Sequence, residues 1–196
     1  MKIAVIDSGV AIPHPHIGPL AGGVSIDENG ESPDFADRIG HGTAVMAAIM
    51  EKAPSAEYFA VRVFQTSLRT RIEFILTAIE WCIAQRIDLI NLSLGTSNPA
   101  HADRFGRFID KVQLISAASS LPGSLPGVIA VHEDRDCPRD QYRCIGPMEF
   151  AASGFPRPIP GVPPERNLNG ISFAVANMTG FLARDYEILC KSKSRD

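Results

Sequence analysis

Apolar and polar positions fall into blocks along the chain whose lengths suit strands and helices in turn. Residues 2–6, Lys-Ile-Ala-Val-Ile, form a short run rich in β-branched side chains that stops at Asp7-Ser8-Gly9. That pattern predicts a buried strand leading into a turn. Residues 10–40 hold many Gly, Pro and Asp and no sustained period, so they are expected to be mostly loop. From His41 to about Lys52 the chain is almost wholly apolar, which predicts a buried helix. A second strand is expected over 58–64. Ile72, Ile75, Ile79, Cys82 and Ile83 recur at helical spacing, which predicts an amphipathic helix over 70–86. The run 88–94 reads as a third strand, stopped by Gly95. A helix is expected at about 99–111, with strands near 112–117 and 127–131.

After Val131 the texture changes. Residues 132–147 are polar, and 153–168 are rich in proline, so both read as surface loops. Order returns at 169–176, which looks like a turn feeding a helix. Strands that alternate with helices imply crossover connections. The expected fold is therefore α/β: a three-layer, doubly wound, mainly parallel sheet with helices on both faces. One domain is expected over residues 1–185, followed by a C-terminal tail at 186–196 whose basic end, Lys191-Ser192-Lys193-Ser194-Arg195, reads as a solvated terminus.

Composition narrows the partners. The chain has 196 residues, 45% hydrophobic and 21% charged, and a formal net charge of −3. That balance suits a globular domain and argues against nucleic acid or an anionic membrane as the main partner. Lys2 is followed by only a short apolar run before Asp7, too little for a secretory signal, and no apolar run is long enough to span a bilayer. Cys82, Cys137, Cys144 and Cys190 are too scattered for a disulfide scaffold. A cytoplasmic location is the expectation.

Candidate chemistry lies at the ends of elements. In a doubly wound sheet, functional groups gather at the carboxyl ends of the strands. Asp7 ends the first strand, His41 opens a helix between two glycines, and Ser172 opens another helix after Gly170. A carboxylate, an imidazole and a hydroxyl are the parts of a nucleophilic triad. The hydroxyl needs a base to take its proton, and the imidazole needs a carboxylate to fix its tautomer.

The words around these residues are more specific than the residues themselves. Ala4-Val5-Ile6-Asp7-Ser8-Gly9-Val10, Gly40-His41-Gly42-Thr43-Ala44 and Gly170-Ile171-Ser172-Phe173-Ala174 resemble the Asp, His and Ser segments of the subtilisin-like serine peptidases, the subtilases, in that family's order. The resemblance implies a serine endopeptidase with the triad Asp7, His41 and Ser172, acting on an extended peptide or protein and using no cofactor; no metal is expected. It further implies that the backbone of Ser93, Leu94 and Gly95 pairs with the substrate strand, with Ala117, Ala118 and Ser119 lining the other side. A processing role on an intracellular precursor is the corresponding expectation.

One departure bears on activity. Where the family reads Ala-Ala-Gly-Asn, with the Asn amide donating to the oxyanion, this chain reads Ala117-Ala118-Ser119-Ser120. Ser120 is the candidate replacement donor, with a shorter reach, and Asn98 is a second. Losing that donor in subtilisin itself costs roughly 10²–10³ in kcat. The alternative reading is a weak or inactive relative that binds an extended peptide without cutting it.

Overall fold

A computed structural model describes the backbone of residues 1–193 and the side chains of residues 1–186. Its frame is one nine-stranded sheet. The first strand, β1 (Lys2–Asp7), lies inside it, flanked by β4 (Glu57–Arg62) and β5 (Leu89–Leu92), both parallel to it. Beyond β4 lie β2 (Gly22–Asp27) and β3 (Gly30–Ser32); beyond β5 lie β6 (Gln113–Ala117), β7 (Ile129–Glu133), β9 (Glu149–Ala152) and β8 (Tyr142–Gly146). Only the two outermost pairs, β2 with β3 and β8 with β9, are antiparallel.

A strand covered on both faces has no solvent side, so it carries a continuous apolar run rather than an alternating one. Ile3, Ala4, Val5 and Ile6 are accordingly all buried. On one face, Ala4, Ile6, Ile90 and Leu92 pack under α2 (Ile72–Ala84) and under Phe105 of α3 (Ala102–Gly106). On the other face, α1 (His41–Lys52) covers Ile3, Val5 and Ala60. Beside it, α4 (Ile171–Lys193) covers Leu89, Ile115 and Val131 with Val175, Met178 and Phe181. Each buried Val, Leu, Ile, Met or Phe among these stabilises the fold by roughly 1.5–3 kcal/mol. The arrangement is the expected three-layer, doubly wound α/β fold.

The helix that opens with His41 needs outside help to start. Its N-cap is Gly40, in the left-handed region at φ 95°, and it supplies no side-chain acceptor. Asp37 takes that role. Its Oδ2 accepts from Thr43 N at 2.9 Å and Thr43 Oγ1 at 2.6 Å, while Oδ1 accepts from Gly40 N at 2.8 Å and Ile39 N at 2.9 Å. Ser8, just past β1, donates to Asp37 Oδ1 at 2.9 Å and accepts from Gly42 N at 2.8 Å. The loop bearing Asp37 is pinned in turn by the buried Arg62, which donates to Ala36 O at 2.9 Å and Ser25 Oγ at 3.0 Å.

Several elements differ from expectation. Residues 10–40 contain β2 and β3, and the stretch after Val131 contains β8 and β9. These strands border or form the sheet edges, and Gly22, Gly23 and a polar outer face mask their period. The helix expected at 99–111 is a 3-10 turn, Pro99–His101, followed by the short α3. The last positions of the expected tail, 194–196, lie outside the described residues, as do the side chains of Cys190 and of the basic end.

Burial works against the charge on Asp37, but the bonds from Thr43, Gly40 and Ile39 outweigh it and hold its pKa below the ordinary 3.8. A depressed folded pKa means that the carboxylate's stabilisation is complete above the unfolded value and fades as pH falls through the folded one. Asp37→Ala is expected to lower unfolding stability at neutral pH by about 2–3 kcal/mol, read by urea denaturation. The gap to wild type should narrow below the ordinary carboxylate range. A gap that persists in full there would show that the charge is not what holds this loop.

Candidate active site

The turn after β1 and the first turn of α1 meet closely enough to bring Asp7 and His41 together. A Cβ at Gly42 would run into the backbone of Gly9 and Ser8, so only glycine lets the helix start there. Asp7 is fully buried, and Ser8 N donates to its Oδ1 at 2.7 Å. His41 Nδ1 lies 2.8 Å from Asp7 Oδ1 and 3.0 Å from Oδ2. This fixes the tautomer: Nδ1 carries the proton toward Asp7, and Nε2 is left as the free face of the ring. Phe173 packs on the imidazole with ring centroids 5.6 Å apart. Burial opposes charging His41, but the hydrogen bond and charge of Asp7, with the charge of Asp37, outweigh it and raise the pKa above the ordinary 6.5.

Ser172 sits in the first turn of α4, where backbone N–H groups have no intrahelical acceptor. It and His41 line the same cleft, of about 500 Å³, but their side chains are not hydrogen-bonded to each other. Ser172 Oγ donates to Ser93 O at 3.1 Å, and Ser93 Oγ donates back to Ser172 O at 2.8 Å. Behind this reciprocal pair, Asn91 Nδ2 donates to Ser93 Oγ at 3.0 Å, and Thr179 Oγ1 lies 2.9 Å from Asn91 Oδ1. A buried polar chain from α4 through β5 therefore holds the backbone of the serine turn.

Of the expected substrate residues, Ser93, Leu94 and Gly95 line the cleft, together with Thr96. On the expected other side, Ala117 ends β6, and Ala118 N donates to Val131 O at 2.9 Å, which extends the β6–β7 ladder. Ser120 adjoins the cleft wall at Gly95. A side chain at Gly95 would strike Ser120 Oγ, and Ser120 makes no hydrogen bond to Ser172. The adjoining Thr96 and Leu121 exchange two backbone bonds of 3.0 Å, which closes the two segments against each other. Asn98 is absent from the cleft wall. Its Oδ1 caps the 3-10 turn from Ala100 N at 3.1 Å, and its Nδ2 lies 3.3 Å from His101 Nε2.

The rest of the cleft escaped the sequence reading. Phe64, Leu68, Ile72 and Ile75 make an apolar wall, and Thr70 and His101 add polar groups to it. Thr70 Oγ1 and His101 Nδ1 are buried without a hydrogen-bond partner. Ile72 and Ile75 had a visible helical period but nothing to show that their helix borders a site. Asp37 also went unread, although an acid shortly before a glycine-capped helix is a signal for a substitute cap. Among the described residues, no group of three or more His, Cys, Asp or Glu side chains is placed to hold a metal ion.

Comparison with known proteins completes the picture. The model of the subtilase family matches residues 1–133, which includes Asp7 and His41 and stops before Ser172. The minor extracellular protease Epr of Bacillus subtilis (strain 168) is 34% identical over 135 residues, covering 63% of this chain and 20% of the relative. Subtilisin E of the same organism is 32% identical over 137 residues, covering 63% of this chain and 35% of the relative. The chain thus spans only a minor part of the length of these curated relatives. In fold it is similar to the prenylagaramide maturation protease PagA, with a TM-score of 0.72 and 23% identity over 98% of this chain and 77% of that one. The family match covers well over half of the sequence, and the doubly wound sheet extends the likeness beyond it: the chain belongs to the subtilase family.

Proposed function

We propose that this protein is a serine endopeptidase with Asp7, His41 and Ser172 as its triad. The observation that carries the reading is the imidazole held on Asp7 through Nδ1, its other nitrogen unengaged, in the same cleft wall as the Ser172 hydroxyl. In the proposed reaction an extended peptide pairs with Ser93–Gly95. A substrate N–H arriving at Ser93 O competes for the acceptor that Ser172 Oγ uses at rest. The freed hydroxyl turns to His41 Nε2, gives up its proton and attacks the scissile carbonyl. The scissile C–N bond breaks as His41 passes that proton to the leaving amine; a water deprotonated by His41 then releases the acyl group from Ser172 Oγ, which takes the proton back, and Asp7 stabilises the imidazolium in both halves.

The Ser172 N–H supplies one oxyanion donor. Ser120 is the proposed second, a hydroxyl beside Gly95 with a shorter reach than an amide. A weaker donor implies slower turnover, which suits limited processing of a peptide or protein precursor better than general digestion. A cytoplasmic setting is proposed with it; Cys82, Cys137 and Cys144 are free thiols, as a reducing compartment would keep them.

The engagement of Ser172 with Ser93 favours a second reading, a peptide-binding relative that does not cut. A fluorophosphonate probe separates the two. Wild-type protein should be labelled, and Ser172→Ala and His41→Ala should not. Absence of labelling in folded wild type would sink the peptidase reading.

The pH profile gives another check. A general base must be neutral to accept a proton, so kcat/KM should rise with pH through a midpoint above 6.5, the ordinary histidine value. A midpoint at or below that value would contradict the Asp7–His41 coupling. Ser120→Asn should raise kcat by on the order of tenfold or more if position 120 is the donor slot. An unchanged kcat would place the second donor elsewhere.

A further inference from the structure

A second cavity, of about 450 Å³, borders the catalytic elements without sharing a lining residue with the first. Gly40, Thr43 and Ala44, which flank His41, form one wall; Asn167 and Leu168, just ahead of the Ser172 helix, form another. The body of the cavity is apolar, with Ala11, Ala47, Pro156 and Ile159. Ile159 and Leu168 are 46% and 49% exposed, an unusual state for such side chains beside a site.

The polar groups of this cavity are nearly all cationic or proton-donating. His14, His16 and Arg157 face it, and the two imidazoles meet edge to face with centroids 5.5 Å apart. His14 Nδ1 accepts from His16 N at 3.2 Å, which leaves the His14 ring proton on Nε2 as a donor. Arg157 is half-buried and, among the described residues, its guanidinium has no ion pair or hydrogen bond; its backbone oxygen accepts from Asn167 Nδ2 at 3.3 Å. Burial first, then the charges of Arg157 and His14, lower the pKa of His16, with Glu51 opposing them. The one acid on this wall, Asp37, is spent on the start of α1. A guanidinium with no partner among the described residues, lining the same apolar cavity as two imidazoles, lacks an anion.

We propose that this cavity receives the part of the peptide on the leaving-group side of the scissile bond and selects one that carries a carboxylate, from Asp, Glu or a free C-terminus, which pairs with Arg157 beside His14 and His16. The inference rests on the peptidase reading for its direction. If the acyl side lies along Ser93–Gly95, the chain beyond the cut leaves past the opposite flank of His41. The apolar walls would take the aliphatic or aromatic neighbours of the acid.

The test compares acetyl-Leu-Phe-Glu, as free acid, with acetyl-Leu-Phe-Gln-amide by calorimetry on the full chain carrying Ser172→Ala. The acid should bind about tenfold more tightly, the scale of one charge-assisted bond. Arg157→Gln should erase the preference and Arg157→Lys should keep part of it. An unchanged thermal melt confirms that these variants remain folded. Equal or undetectable binding of both peptides, or a preference indifferent to Arg157→Gln, overturns the inference. With active protein, cut sites in a peptide library should be enriched in Asp or Glu just beyond the cut, and Arg157→Gln should remove the enrichment. If Ser172 reacts with fluorophosphonate but no acid preference appears, the peptidase reading stands and this one falls. If the preference and its dependence on Arg157 hold while Ser172 does not react, the site is an acid-peptide site and the peptidase reading falls.

Discussion

Everything at the site depends on the close approach of two backbone turns, the one after β1 and the one that starts α1. Gly42 fits against Ser8 and Gly9 because it has no Cβ, and that fit sets His41 over Asp7. The cost of starting a helix on a glycine cap is met by Asp37, whose carboxylate gathers N–H and O–H groups from its own loop, from Ser8 and from Thr43. The sheet supplies rigidity: β1 is buried on both faces, and Arg62 ties the Asp37 loop to it. The acid–imidazole half of the site is thereby built before any substrate arrives.

The serine half is built differently. Ser172 is held through its carbonyl by Ser93, in a chain that continues to Asn91 and Thr179, while its hydroxyl rests on Ser93 O. The same carbonyl belongs to the segment proposed to pair with substrate. On the proposed reading binding and activation are one event, because the strand that docks would also remove the acceptor that holds the Ser172 hydroxyl at rest. On the proposed peptidase reading the weak point is the oxyanion, since position 120 carries a serine and Asn98 is committed to capping a 3-10 turn.

How much of this could be read in the sequence follows from the kind of signal each part needs. The parallel core was legible because strands buried on both faces must be continuous apolar runs, as in β1 and β5. The motifs around Asp7, His41 and Ser172 were legible because tight turns and close backbone approaches leave few residue choices. The edge strands β2, β3, β8 and β9 were not, since glycine and a solvated face blur their period. His101 was hidden for another reason. Its place in the cleft arises from which loops meet in space, and neither residue type nor spacing records that.

On the proposed reading, docking a strand on Ser93–Gly95 transfers the Ser172 hydroxyl from Ser93 O to His41. A crystal structure of the protein with a peptide boronic acid would show whether it does. The expected result is a covalent bond from Ser172 Oγ to boron, His41 Nε2 within hydrogen-bond reach of the adduct, and Ser93 O accepting from a peptide N–H. A peptide seated on Ser93–Gly95 with Ser172 Oγ unreacted and still donating to Ser93 O would contradict it.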